Sequence, residues 1–222
     1  MQVAVILVAA ALFMVSCDSS GQNPENRGAI SPDLHDPDVN VDIFREVPED
    51  IQSKMWPEWF DRSLFPDHED RFEMSDEQWR DKLSRREYRV LRNDGTESPF
   101  VNEYHGEEGE GVYVCRGCSA PLFSSEAKFH SSSGWPSYFA PIDLNFIGVK
   151  PDDGLLSERT EVHCARCKSH LGHVFEDGPE PTGLRYCMNS QAMRFIDRDA
   201  HEAIQQGSAD HGGLHLIGMD DS

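Results

Sequence analysis

Positive charge is scarce in this chain of 222 residues, in which 20 Lys and Arg stand against 40 Asp and Glu and the formal net charge is −20. Nucleic-acid phosphates bind Lys and Arg, so this balance argues against a nucleic-acid partner. Cysteine is also scarce, and six residues do not make a dense disulfide framework. No helical period of useful length occurs between residues 96 and 197, which disfavours the βαβ setting of a thioredoxin-like oxidoreductase.

A long membrane-spanning run is missing as well. The uncharged apolar run from Val3 to Val15 is too short to cross a bilayer and has the length of a signal-peptide core. It ends at Cys17 in a junction that resembles a bacterial lipoprotein cleavage site, although Met14 replaces the usual Leu. We expect an exported protein of the bacterial cell envelope, held at the membrane by a lipid on Cys17. A secreted protein with a cleaved signal and a buried N-terminal segment are the alternatives.

The remaining chain divides by composition. The sequence predicts a signal peptide at 1–17, a flexible tether at 18–42, an acidic aromatic extension at 43–73, a catalytic domain at 74–199 and a polar, partly ordered tail at 200–222. The extension either wraps the domain through its aromatic side chains or serves as a partner-binding arm. Wrapping is the favoured interpretation.

Local signals predict two short helices followed by an antiparallel β domain. Ser75 to Gln78 and Ser84 to Glu87 are capping boxes, which predict helices at 75–83 and 85–92, and Gly95 fits a helix stop. After Gly95 the chain has short β-prone runs separated by Gly, Pro, Asp and Ser. These runs lie at 112–114, 137–139, 146–149, 161–163 and 193–196.

Four cysteines form two Cys-x-x-Cys pairs, namely Cys115 with Cys118 and Cys164 with Cys167. Four thiolates around a tetrahedral ion make a closed structural zinc site, which has no open position for activating water. Such a Zn²⁺ would pin two distant hairpins together and contribute to folding. Iron in the same ligand set is the chemical alternative, and two redox-active disulfides are another.

Cys187 is the cysteine left over in the predicted domain, and a lone Cys is often only a small buried hydrophobe. Its neighbours favour catalysis, because Arg185 can stabilise the thiolate that attacks. His170 and His173 are spaced three apart near the second cysteine pair, which suggests acid–base work. Trp135 after a Gly provides either an apolar pocket wall or a core side chain.

Several long motifs in sequence order resemble the type B methionine sulfoxide reductases, and the resemblance covers residues 75–197. They are Asn93-Asp-Gly-Thr-Glu-Ser-Pro-Phe100, Gly111-Val-Tyr-Val-Cys115, Ser133-Gly-Trp-Pro-Ser137, Thr160-Glu-Val-x-Cys164, His170-Leu-Gly-His-Val-Phe175 and Asp177-Gly-Pro followed by Arg185-Tyr-Cys-x-Asn-Ser190. The resemblance implies a mainly β fold of two antiparallel sheets, with short N-terminal helices and a structural Zn²⁺ on four Cys.

The resemblance also implies roles for individual residues. Cys187 would attack the sulfoxide sulfur and become a sulfenic acid, with Arg185 supporting its thiolate. His170 and His173 would bind or protonate the sulfoxide oxygen. Two further roles are implied: Asn189 would help position the same group, and Trp135 would pack against the substrate methyl. The substrate would be methionine-R-sulfoxide in oxidised proteins, and the activity would be protein repair.

One position departs from the family pattern. Many members carry a resolving Cys where this chain has Ser133, and a Ser cannot form the disulfide that normally follows the sulfenic acid. We therefore expect direct reduction by an external thiol, either a thioredoxin-like protein or a small thiol. Two other functions are weighed beside this one: a non-catalytic zinc-stabilised binding module, and a Cys-x-x-Cys thiol–disulfide oxidoreductase.

Overall fold

A computed structural model describes residues 47–153 and 158–211. Outside the described residues lie the predicted signal peptide, the predicted lipidation site Cys17, the tether, residues 43–46 of the extension and residues 212–222 of the tail. No helix in the described stretches is long and apolar enough to span a membrane.

Four α-helices occur in the described residues, and two of them begin at the predicted capping boxes. They are α1 (Glu49–Gln52), α2 (Asp76–Lys82), α3 (Arg85–Arg92) and α4 (Arg198–His211). The Ser75 hydroxyl accepts from the Gln78 amide, and the Gln78 side chain accepts in return from the Ser75 amide. Ser84 and Glu87 repeat this reciprocal bonding at the start of α3, so both predicted helices are confirmed.

Within residues 47–153 and 158–211, nine strands form two antiparallel sheets, which confirms the predicted fold class. They are β1 (Gly111–Cys115), β2 (Pro121–Ser124), β3 (Lys128–Phe129), β4 (Ser137–Tyr138), β5 (Ile147–Asp153), β6 (Glu158–Cys164), β7 (His170–Phe175), β8 (Arg185–Met188) and β9 (Met193–Asp197). The small sheet has the order β2-β1-β9, and the large sheet has the order β3-β4-β8-β7-β6-β5. The sequence analysis predicts β1, β4, β5, β6 and β9 and misses the other four.

The core lies between the two sheets and is rich in aromatic rings. Phe123 of β2 stacks on Tyr138 of β4 with ring centroids 4.5 Å apart. Tyr113 of β1 meets the same Tyr138 ring edge-on at 5.2 Å, and Phe123 also lies 5.8 Å from Tyr186 of β8. Because all four rings are buried, the small sheet covers the face of the large sheet opposite to Cys187 on β8.

The described part of the acidic extension, residues 47–73, packs on this core. Met55, Phe60 and Phe65 are buried in it. The main-chain amide of Asp61 donates to Nε2 of His201 at 2.9 Å, and His201 is itself buried among the rings of this segment. The extension therefore joins the C-terminal helix α4 rather than standing free.

Helix α4 occupies the first part of the region for which the sequence predicts a polar, partly ordered tail. It begins at Arg198, directly after β9, and the Asp197 carboxylate accepts from the Ala200 amide at its start. Ala200 and Ile204, four residues apart, pack against the core on one face. Two apolar side chains in a polar run are a weak sequence signal, so the helix depends on its tertiary contacts.

Candidate active site

The four cysteines of the two Cys-x-x-Cys pairs converge at the ends of β1 and β6. All four are buried and carry free thiols, and their Sγ atoms lie within 4.8 Å of one another. The Sγ atoms of Cys115 and Cys167 are 3.6 Å apart, as are those of Cys118 and Cys164. Four sulfurs at about 2.3 Å from one tetrahedral ion would be about 3.8 Å apart, so this cluster has the shape of a metal site.

Both cysteine pairs use the same backbone turn. After each second Cys, one residue adopts a left-handed conformation, with φ 64° at Ser119 and φ 58° at Lys168. The amide of Ser119 donates to the Cys115 carbonyl at 2.7 Å, and the amide of Lys168 donates to the Cys164 carbonyl at 2.9 Å. The repeated turn aims two thiols from each strand end at a common point, and a bound metal ion would thereby join the two sheets.

Cys187 lies at the centre of the large sheet, on β8 between β7 and β4. Its cross-strand partners are His173 on β7 and Ser137 on β4. Along β8 the side chains alternate, so Arg185 and Cys187 are half-buried on one face while Tyr186 is buried on the other. A Cβ at Gly172 of β7 would collide with the Cys187 carbonyl oxygen, which explains the Gly before His173.

Burial and neighbouring groups act in opposite directions on the Cys187 thiol. The pKa of Cys187 is raised, with burial the largest cause, and the hydroxyl of Ser133, 3.7 Å from Sγ, and the charge of Arg185 only partly oppose this rise. Arg185 is held in place by two 2.8 Å hydrogen bonds to the Asp177 carboxylate, and its guanidinium lies 4.4 Å over the Phe175 ring. The site thus supplies fixed partners for a thiolate in a partly dry setting.

Each of the two predicted histidines has a carboxylate partner on another strand of the large sheet. His173 Nε2 lies 2.7 Å from Asp152 Oδ2 on β5. His170, which is 1% exposed, has Nδ1 3.3 Å from Glu161 Oε1 on β6. The two imidazole rings lie 5.3 Å apart, which brings His170 and His173 to one side of the sheet.

The pKa of His173 is lowered, and burial is the main cause. The hydrogen bond to Asp152 opposes this effect, whereas the charge of Arg159 adds to it. Burial also acts against ionisation of Asp152, but His173 and Arg159 outweigh it and lower the pKa of Asp152. A neutral imidazole and a charged carboxylate are therefore the favoured pair at neutral pH.

Asn189 follows β8 and is buried with both ends of its amide already bonded. Its Nδ2 donates to the Leu171 carbonyl at 3.0 Å, and its Oδ1 accepts from the Glu97 amide at 3.1 Å. The Glu97 carboxylate in turn accepts from the amides of Ser190 and Gln191. Asn189 thus fixes the backbone beside Cys187.

Trp135 is half-buried, which agrees better with a pocket wall than with a core side chain. Its Nε1 donates to the Glu97 carbonyl at 3.2 Å. Beside it, Ser133 and Ser137 both lie 2.7 Å from the hydroxyl of Ser131. The position at which many family members carry a resolving Cys is therefore part of a cluster of three hydroxyls next to Cys187.

The sequence analysis misses four acidic residues of this site. Glu97 and Glu161 lie within the quoted family motifs, and Asp177 begins another of them. The motifs therefore pointed to these three residues, but no role was assigned to them. Asp152 had no such signal, because its partner His173 is 21 residues away. Among the described residues, the predicted site residues all lie in one of two places: the cysteine cluster or the face around Cys187.

Comparisons with known proteins agree with this geometry. A sequence model of the SelR domain matches residues 83–197. A peptide methionine sulfoxide reductase MsrB from Hahella chejuensis is 49% identical over 130 residues, which are 59% of this chain and 94% of the relative. One from Thiobacillus denitrificans is 50% identical over 125 residues, 56% of this chain and 95% of the relative.

A longer relative shares the same region. Peptide methionine sulfoxide reductase MsrA/MsrB from Vibrio cholerae is 51% identical over 140 residues, which are 63% of this chain and 36% of that protein. The match thus corresponds to one part of a protein named for two reductases. By these matches the chain belongs to the MsrB family of peptide methionine sulfoxide reductases.

Proposed function

We propose that this protein reduces methionine-R-sulfoxide in oxidised proteins to methionine and that Cys187 is the nucleophile. The observation that carries the proposal is the setting of Cys187, which is half-buried on β8 with Arg185 on the same face and His173 directly across on β7. Family membership supports the reaction class. Sulfoxide reduction needs a thiolate, a proton donor and an apolar wall, and we assign these roles to Cys187, the two histidines and Trp135.

In the proposed reaction the Cys187 thiolate attacks the sulfoxide sulfur. An Sγ–sulfur bond forms, and the S–O bond breaks as the oxygen is protonated, with the imidazolium of His170 or His173 as a donor, and leaves as water. Water then attacks Sγ of Cys187, the S–S bond breaks and methionine leaves, which gives a sulfenic acid and returns one proton. The cysteine sulfur thus gives up the two electrons that the substrate gains. Trp135 packs against the substrate methyl, and Asn189 holds the backbone that carries Cys187.

Recycling is proposed to use an external thiol. The three hydroxyls near Cys187 cannot form a disulfide, and the other four described cysteines belong to the buried metal cluster. A first thiol would displace water from the sulfenic acid to give a mixed disulfide, and a second would release Cys187. Thioredoxin or a small dithiol fits this chemistry.

For the cysteine cluster we propose one structural Zn²⁺. Four thiols with this spacing fit a tetrahedral Cys₄ site, and such an ion has no free position for substrate. Its contribution would be to the folding free energy.

Cell-envelope anchoring through Cys17 is also a proposal, and it rests on the apolar run and the Ser16-Cys17 junction alone. Mass spectrometry of the protein from a bacterial membrane fraction tests it. A diacylglycerol-modified Cys17 at the N-terminus supports the proposal, whereas an unmodified Cys17 overturns it.

The reductase proposal is tested with a peptide containing methionine-R-sulfoxide and dithiothreitol as the reductant. We expect Cys187→Ser to lower the rate by at least about 1,000-fold, because an alcohol cannot replace the thiolate. Met188→Leu is the matched control: Met188 is the next residue of β8, is buried on the opposite face, and the change conserves volume. A wild type that reduces neither epimer would refute the proposal and favour a binding module.

A further inference from the structure

Residues 97–102, which we call the rim loop, connect the two sides of the proposed substrate pocket. On one side the Glu97 carboxylate binds the amides that follow β8, at Ser190 and Gln191. On the other side Phe100 donates its amide to the Gly134 carbonyl at 2.7 Å. The rim loop is therefore fixed to both the Cys187 strand and the Trp135 segment.

The rim loop displays two apolar side chains to solvent. Phe100 is 62% exposed and Val101 is 81% exposed, and they are the exposed large hydrophobic side chains of the described residues. Two such neighbours beside a pocket differ from single apolar residues scattered over a surface. Because they lie beside the proposed substrate pocket, these side chains are placed to contact the part of a bound polypeptide that extends out of it.

The backbone at Phe100 is held in an unfavourable conformation. Its φ is 63°, a left-handed value that is uncommon for a bulky aromatic residue. The ring packs against Gly134, where an added Cβ would come within 3.0 Å of the Phe100 ring and within 2.7 Å of Pro99. Such strain persists only where surrounding contacts enforce it, and here they keep an apolar ring exposed.

Two histidine rings continue from Phe100 away from the pocket. The Phe100 ring meets His105 edge-on at 5.5 Å, and His105 lies 5.5 Å from the exposed His130 ring. A row of rings thus extends from the Trp135 side of the pocket along the surface. A bound polypeptide whose sulfoxide reached Cys187 would have to cross this row or the rim loop beside it.

We propose that Phe100 and Val101 bind the apolar side chains that flank methionine sulfoxide in an oxidised polypeptide. Methionine is usually buried among apolar neighbours, and its oxidation disrupts that packing. The segment exposed around an oxidised methionine is therefore apolar, and it matches the chemistry of the rim. This inference rests on the proposed reductase function and specifies the kind of polypeptide that it serves.

The test compares three R-sulfoxide substrates with dithiothreitol as the reductant. Two are peptides of equal length with either Leu or Ser on both sides of the sulfoxide, and the third is N-acetyl-methionine sulfoxide. We expect the wild type to prefer the Leu peptide by about fivefold to tenfold in kcat/KM. Phe100→Asn with Val101→Ser should abolish this preference and leave kcat/KM for the N-acetyl substrate unchanged.

Asn is chosen at position 100 because it tolerates the left-handed backbone and lets the fold persist without the ring. Phe100→Tyr with Val101→Ile is the matched control, and it should keep the preference for the Leu peptide. A preference that survives Phe100→Asn with Val101→Ser overturns the inference, as does an equal loss on all three substrates. A loss confined to assays with thioredoxin as the reductant also overturns it, because the surface would then belong to the reductant.

If the reductase proposal itself is wrong, the assay gives a different result. In that case the wild type reduces none of the three substrates, and calorimetry with the two sulfoxide peptides still tests the rim. Tighter binding of the Leu peptide that is lost in Phe100→Asn with Val101→Ser supports the surface, and equal binding of both peptides overturns it.

Discussion

His173 shows how strongly a single side chain can depend on its neighbours. Burial lowers its pKa, Asp152 raises it and Arg159 lowers it further. Other titratable groups near it are His170 on its own strand and, on the two adjoining strands, Glu161 and Cys187. If His173 donates the proton, activity requires its protonated form and is lost as the pH rises through its pKa.

We expect Asp152→Asn to move the alkaline limb of the kcat/KM profile to lower pH, because it removes a group that raises the His173 pKa. At neutral pH the rate should fall, by less than the roughly 100-fold expected from removing a general acid. Arg159→Gln should move the same limb to higher pH. If the two substitutions shift the alkaline limb in opposite directions, the cause is electrostatic and not damage to the fold. If the alkaline limb moves in neither variant, His173 is not the proton donor.

At the scale of elements, the turn after β1 and the turn after β6 bring four thiols together from two different sheets. A metal ion there would hold the sheets together at one end. We expect one Zn²⁺ per chain by elemental mass spectrometry. Cys118→Ser should abolish binding and lower the melting temperature by about 10 °C or more.

Cys187→Ser is the control for that experiment, because it removes a thiol outside the cluster and should leave the zinc content at one. Iron in place of zinc would correct the identity of the metal. Two disulfides and no metal in the purified protein would contradict the structural site.

The helices and strands also show which features of the fold can be predicted from one sequence. Capping boxes at Ser75 and Ser84 are local hydrogen-bonding patterns, so α2 and α3 were predictable, and Cys-x-x-Cys spacing is likewise local. Strand β7 lacks the alternation of a half-solvated strand, because it is buried over most of its length. The partners of His173 and Asn189 are 21 and 92 residues away, and such pairings leave no trace in spacing.

At the scale of the whole molecule, the described part of the acidic extension belongs to the folded structure. Met55, Phe60 and Phe65 are buried in the common core, and Gln52 donates to the Ile142 carbonyl at 2.7 Å. These contacts involve α4 and the loop before β5, and they lie apart from the residues around Cys187.

We expect removal of residues 1–73 to cost about 5 kcal/mol of unfolding free energy, since three large apolar side chains lose their burial. The melting temperature should fall by about 10 °C or more, while kcat at low temperature stays near the wild-type value. Differential scanning calorimetry and the dithiothreitol assay measure the two effects. An unchanged melting temperature would instead favour the partner-binding arm.

The hydroxyls of Ser131, Ser133 and Ser137 beside Cys187 have a consequence for the timing of the whole cycle. In the proposed reaction, the described residues offer the oxidised Cys187 no second thiol outside the buried cysteine cluster, so it must wait for a collision with an external thiol. At low donor concentration the rate of turnover then rises in proportion to the concentration of the donor, and without donor each chain repairs one methionine and stops. Before a thiol arrives, further oxidant can convert the Cys187 sulfenic acid to a sulfinic acid. At low thiol concentration, each molecule would then react once and be inactivated.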